Sequence, residues 1–284
     1  MNIQLQRGLT LIELMIAMAI SLLIVLAITA AYFTGSTTQR NIDEVARVNE
    51  TARFSFDLLS KEIRKSGFEN QWGITAKVTP FCSSPPTTVG SALAGVDGPA
   101  TTVIGGVTET IVNQSDVLRV QFYGEDTTAT TSILDCQGNP VAANTLVADT
   151  LFVAQNPLNN NEPTLYCHTS NPANPGKVAL VSGVESLQVL YGEDTDADGI
   201  INSYVPWPKV VNPDHILSIK VSVVARSQNQ VATQTNTTAL QHFGATYATP
   251  AVTNADNGSL FTPPGDLRLR KIFSTEIATR DYRC

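Results

Sequence analysis

The densest run of potential metal ligands in the chain is Asp194-Thr195-Asp196-Ala197-Asp198-Gly199-Ile200-Ile201-Asn202. Oxygen ligands at alternating positions, then a glycine for a sharp turn, make the front half of a calcium-binding loop. Three carboxylates within five residues repel one another unless a cation or solvent screens them. In a calcium loop Asp194, Asp196 and Asp198 would ligate first, the Ile200 carbonyl would continue the alternation, and Asn202 would contribute directly or through water. The twelfth position, where an EF-hand supplies a bidentate Glu, is Val205, and no helical pattern flanks the loop. Two readings stay open, a weak calcium site and a solvated acidic turn between strands. Calcium is the one cofactor the sequence suggests.

Four cysteines, Cys82, Cys136, Cys167 and Cys284, all follow a long apolar stretch near the N-terminus. An even number in an exported domain favours disulfides over metal thiolates, and the lack of any Cys-x-x-Cys spacing points the same way. Cys136 and Cys167 flank the strand candidate Thr145–Ala154 and lie beside turn residues that could bring them together. They are expected to be bonded, which leaves Cys82 for Cys284. His168, His215 and His242 stand singly in polar or strand-like contexts and read as surface or packing residues. With no Gly-x-Ser-x-Gly elbow, phosphate-binding Gly-Lys-Ser/Thr loop or His-Glu-x-x-His pair, no enzyme is expected.

The element that must position all this is at the other end of the chain. Leu9–Phe33 is 25 almost wholly apolar residues, about 37 Å as a helix and long enough to span a bilayer. Arg7 precedes the span, which puts that end in the cytoplasm and the rest of the chain outside. Glu13 sits one turn inside, where a carboxylate costs several kcal/mol unless it snorkels to the headgroups or finds a partner. Beyond the span, Ile42, Val45, Val48, Ala52, Phe56, Leu59 and Ile63 recur at steps of three and four. Asp43, Glu44, Arg47, Glu50, Arg53, Lys61 and Glu62 fall on other faces, and Gly67 supplies a stop. Residues 9–66 thus read as one helix of about 87 Å, its residues 34–66 amphipathic and packed on the chain's own sheet.

After Gly67 the pattern changes to short β-like runs between turn clusters. The candidates are Val103–Val112, Val117–Tyr123, Thr145–Ala154, Lys177–Val181, Val184–Tyr191, Ile216–Ala225 and Leu267–Ala278. The fold class is α+β: a long N-terminal helix packed on an antiparallel β-sheet domain, residues 67–284, with long loops. Tyr-Gly-Glu-Asp-Thr occurs at Tyr123–Thr127 and Tyr191–Thr195, as two strands ending in similar turns. A net charge of −7 with 15% charged residues argues against direct nucleic-acid binding, which needs clustered Lys and Arg.

Gly8-Leu9-Thr10-Leu11-Ile12-Glu13 resembles the type IV prepilin signal, usually Gly-Phe-Thr-Leu-Ile-Glu. Gly183-Val184-Glu185-Ser186-Leu187-Gln188-Val189-Leu190-Tyr191-Gly192 and Ser60-Lys61-Glu62-Ile63-Arg64-Lys65-Ser66-Gly67-Phe68 are similar to segments of the PilW group of minor pilins. The resemblance implies a leader of residues 1–8 removed by a prepilin peptidase after Gly8, and N-methylation of Leu9, which stands where Phe is usual. It implies that Glu13 pairs with a neighbouring subunit's terminal amine, and that residues 9–33 lie in the membrane before assembly. The implied partners are other minor pilins, the major pilin and the inner-membrane assembly platform. The implied task is priming a pilus near its tip, with adhesion, twitching motility or DNA uptake downstream. A type II secretion pseudopilin would share the leader and helix. A single-pass anchored periplasmic binding protein would keep its leader and stay out of filaments.

Overall fold

The computed structural model describes residues 10–69, 91–125, 132–231, 235, 237–248 and 256–280. Its longest element, α1 (Leu11–Arg64), has 54 residues, about 81 Å at the usual helical rise. Thr10 caps it, its hydroxyl accepting the Glu13 N–H at 3.4 Å. The acid in the first turn and Lys61 and Arg64 in the last both suit the helix dipole. The chain leaves the helix through Gly67, whose φ of 66° would strain a residue with a Cβ. The Gly67 N–H is then taken up by the Gln121 carbonyl at 3.0 Å.

The two halves of α1 have different surroundings. From Leu11 to Phe33 every residue is exposed, Leu22 and Leu23 at 68% each. Ser21 returns its hydroxyl to the Met18 carbonyl at 2.9 Å and Thr29 to that of Val25 at 2.7 Å, so neither needs water. The second half is docked: Glu44, Val48, Ala52, Ser55, Leu59, Glu62 and Ile63 are buried. Two details depart from the sequence pattern. Ile42 and Val45 remain exposed, whereas Glu44 and Glu62, assigned to outer faces, turn inward because partners wait for them. Glu44 accepts from the Gln228 N–H at 3.0 Å and from Asn229 Nδ2 at 2.6 Å. Glu62 meets Lys65 at 2.6 Å, and burial above all lifts its pKa to about 7.

The strands, in chain order, are β1 (Leu93–Val96), β2 (Thr101–Ile104), β3 (Val107–Thr110), β4 (Val117–Tyr123), β5 (Leu146–Asn156), β6 (Glu162–Thr169), β7 (Gly176–Ser182), β8 (Val184–Glu193), β9 (Ser203–Val205), β10 (Ile216–Gln230), β11 (Leu240–Gln241), β12 (Leu260–Phe261) and β13 (Arg268–Ala278). A one-turn helix, α2 (Ala245–Ala248), follows β11. The strands form two main antiparallel sheets, not one: β1-β4-β5-β6-β7 and β13-β10-β8-β9, with β2-β3 and β11-β12 as separate hairpins. α1 packs on β10, β13 and β7, and both sheets share one core with it, through Val48, Leu59 and Ile63 against residues such as Leu118, Leu151, Leu187 and Val223.

The expected strand Val103–Val112 is instead the β2-β3 hairpin, folded at Gly105 (φ 58°) and Gly106 (φ 81°). β6 was hidden by the polar run before it. Asn160 (φ 48°) and Asn161 (φ 54°) take the left-handed conformation that Asn tolerates, and the turn returns the chain along β5. β1 and β9, of four and three residues, are too short for periodicity to reveal.

Candidate functional site

Gly8 and Leu9, the expected cut and methylation positions, lie outside the described residues, as do Cys82 and Cys284. Glu13 stands in the first turn of α1, exposed among equally exposed apolar side chains. Among the described residues α1 is the one helix long and apolar enough to cross a membrane. It therefore offers one carboxylate on a bare apolar rod whose far half is fixed to a folded domain. That arrangement can insert into a bilayer or pack against other apolar helices.

The acidic turn follows β8. Asp194 is buried and Asp196 and Asp198 are exposed, with one ligating oxygen from each all within 4.8 Å of one another. The Asp194 carboxylate accepts the N–H groups of Asp198 at 3.2 Å and Gly199 at 2.7 Å. Burial opposes its charge, yet its pKa falls below the ordinary value, because the Gly199 N–H, Asp196 and the Ala197 and Asp198 N–H groups outweigh that penalty. Asn202 Oδ1 turns to Thr195, accepting its N–H at 2.6 Å and its hydroxyl at 3.0 Å. Ile200 is exposed. The structure thus gathers the three aspartates and directs the Asn202 side chain elsewhere.

Cys136 and Cys167 are joined by a disulfide, with Cα atoms 6.3 Å apart and a sequence separation of 31. It ties the turn after β4 to β6. Asp149 Oδ2 accepts the Cys136 N–H at 2.9 Å and meets Lys65 Nζ at 3.2 Å, so the end of α1 is anchored to the same corner. In the chain-entropy model a loop of this length contributes about 3–4 kcal/mol. Cys136→Ser with Cys167→Ser should lower unfolding stability by that amount in denaturant titration.

Three groupings carried no local signal in the sequence. Glu162, Arg226, Glu185, Arg270 and Asp266 form a chain of ion pairs, with Arg226 Nη2 to Glu162 at 2.7 Å, Arg226 Nη1 to Glu185 at 3.0 Å and Arg270 Nε to Glu185 at 2.5 Å. Arg270 also pairs with Asp266. His242, read as a surface or packing residue, is buried between two hydroxyls, Nδ1 to Ser222 Oγ at 2.8 Å and Nε2 to Ser186 Oγ at 3.1 Å. Burial holds its pKa down to about 3, so it packs as a neutral ring. Asp97, Asp116 and Asp256 converge from segments far apart in the chain. Burial, foremost, raises the pKa of all three, that of Asp256 to about 8.

Comparison with known proteins agrees with this division of the chain. Residues 150–281 match the family model "Type IV Pilus-assembly protein W", and residues 3–29 match the "Prokaryotic N-terminal methylation motif". No curated relative matches the chain. A solved structure, the type IV-like pilin TTHA1219 from Thermus thermophilus, is similar at a TM-score of 0.48 and 14% identity, over 84% of this chain and 100% of that one. The methylation motif thus covers the start of α1, and the residues from within β5 to just past the last strand are similar to the PilW pilus-assembly family.

Proposed function

We propose that the chain is a minor subunit of a type IV pilus, held first in the inner membrane by residues 9–33 and then in the fibre by the same helix. The observation that carries this reading is α1 itself. Its exposed apolar half is continuous with a docked half, and the methylation motif coincides with the exposed end. An apolar rod on every copy favours repeated heterologous contacts, which need not close into a ring. The PilW match over residues 150–281 supports a pilus over a secretion pseudopilin. In this reading a prepilin peptidase cuts after Gly8, Leu9 is methylated, and the subunit joins other minor pilins, the major pilin and the assembly platform to prime the fibre near its tip.

Mass spectrometry of sheared fibres tests it. The mature chain should begin at methylated Leu9, eight residues short of the 284 of the precursor. Surface-exposed protein that still begins at Met1 would overturn the reading. The acidic turn belongs to the same proposal as a weak calcium site. Asp194, Asp196 and Asp198 would share one ion, and without a bidentate acid at Val205 its affinity falls toward the range of about 10⁻⁴ to 10⁻³ M of extracellular modules.

A further inference from the structure

The grouping of Asp97, Asp116 and Asp256 differs in kind from the acidic turn. Its members come from three parts of the fold: Asp97 just after β1, Asp116 just before β4, and Asp256 ahead of β12. One ligating oxygen from each lies within 4.8 Å of the others. Two oxygens bound to one calcium ion are at most about 4.6–5.2 Å apart, twice the usual ligand distance, whereas magnesium allows only about 4.0–4.2 Å.

Backbone groups hold two of the three carboxylates in place. Asp116 accepts the Gly98 N–H at 2.9 Å on one oxygen and the Val189 N–H at 2.7 Å on the other. Asp97 accepts the Asn257 N–H at 3.0 Å. Each of these bonds draws two of the converging segments together, and Val189 brings in β8 of the other sheet. Asp256 is the exception. It is only 6% exposed, and among the described residues neither of its carboxylate oxygens has a hydrogen-bond partner. A buried carboxylate with both oxygens unpaired costs several kcal/mol unless a cation or a proton completes it. Lys209 acts electrostatically on Asp97, and among the described residues no cation pairs with Asp256.

We propose that Asp97, Asp116 and Asp256 form a calcium site that fastens the segment carrying Asp256 to the junction of the two sheets. All-oxygen, carboxylate-rich donors select hard divalent cations. The ion supplies the partner that Asp256 lacks and offsets the repulsion among the three charges.

The test uses the full-length processed chain in detergent micelles. Terbium serves as a calcium analogue, because Tyr191, whose buried phenol feels all three carboxylates, can sensitise its emission. Excitation of the aromatic residues should give terbium luminescence that calcium displaces. Asp256→Asn, made on the Asp196→Ala, Asp198→Ala background so that the acidic turn contributes nothing, should abolish that signal, and Asp97→Asn, at the half-buried rim, should weaken calcium binding tenfold or more. The Asp196→Ala, Asp198→Ala double variant should leave it intact. Calcium at a hundredfold excess over its dissociation constant should raise the melting temperature by about 5–10 °C, and should do so in the double variant too. Three results would overturn the proposal: equal wild-type melts in chelator and saturating calcium, which would mean that the cluster is closed by protons; a full calcium shift in Asp256→Asn or Asp97→Asn; or a shift lost only in the double variant.

Discussion

Glu13→Gln should be cut at the leader as efficiently as wild type and yet be depleted from sheared fibres tenfold or more. Glu13 lies in the first turn of a helix whose surface through Phe33 is apolar and bare, so in the proposed fibre its carboxylate would enter a medium with little water. In that reading a neighbour's terminal amine would be the charge that meets it. Removing one partner of a buried ion pair costs about 3–5 kcal/mol, a factor of roughly a hundred to several thousand in that contact. Glutamine keeps the helix propensity and nearly the shape, so the loss would be one of charge. Quantitative immunoblotting of cell and sheared fractions measures both steps. Equal amounts of mutant and wild-type subunit in the fibre would remove the pairing role.

Glu185→Ala should destabilise the folded domain by about 3–5 kcal/mol, the largest effect expected for one substitution outside α1. Glu185 is 3% exposed and lies between Arg226 and Arg270, receiving hydrogen bonds from both guanidinium groups. Truncating it leaves two largely enclosed guanidinium groups facing each other, each held by only one outer carboxylate. Glu162 and Asp266 hold the outer ends of the network and cannot reach across. Urea titration followed by circular dichroism gives the number. A cycle with Arg270→Ala should show strong non-additivity, because the second substitution removes one of the two cations left facing each other. A loss below about 1 kcal/mol, the level of an exposed pair, would contradict the account.

What was legible in the sequence was whatever repeats at a fixed period. The apolar run at the start of α1, the steps from Val48 to Ile63 and the strands at Val117–Tyr123 and Ile216–Ala225 all belong to this class. β8 shows where the method stops. Each of its positions is buried, including Glu185, Ser186, Gln188 and Glu193, so the polar residues that would mark an outer face carry no such information. Their partners, Arg226, His242, the Gln114 carbonyl and the N–H groups of Val211 and Asn212, are set by tertiary contacts alone. The aspartates at 97, 116 and 256 are the same case at the level of a site. The acidic turn announced itself because its residues are neighbours in sequence, whereas this cluster exists only after the chain has folded.

The docked part of α1 also has a mechanical side. Its buried residues, Glu44 to Ile63, are spread over about 29 Å of helix. A pull along the helix axis must displace them all together, so the load is shared and the rupture rate is set by the whole interface. A sideways force on the bare half acts differently. It concentrates on the first contact, where Glu44 grips the Gln228 and Asn229 backbone at the irregular end of β10. Carried in a fibre, the chain would therefore be stiff in tension and yield first in bending, with its bending compliance set by a buried carboxylate on the helix, 31 positions beyond Glu13.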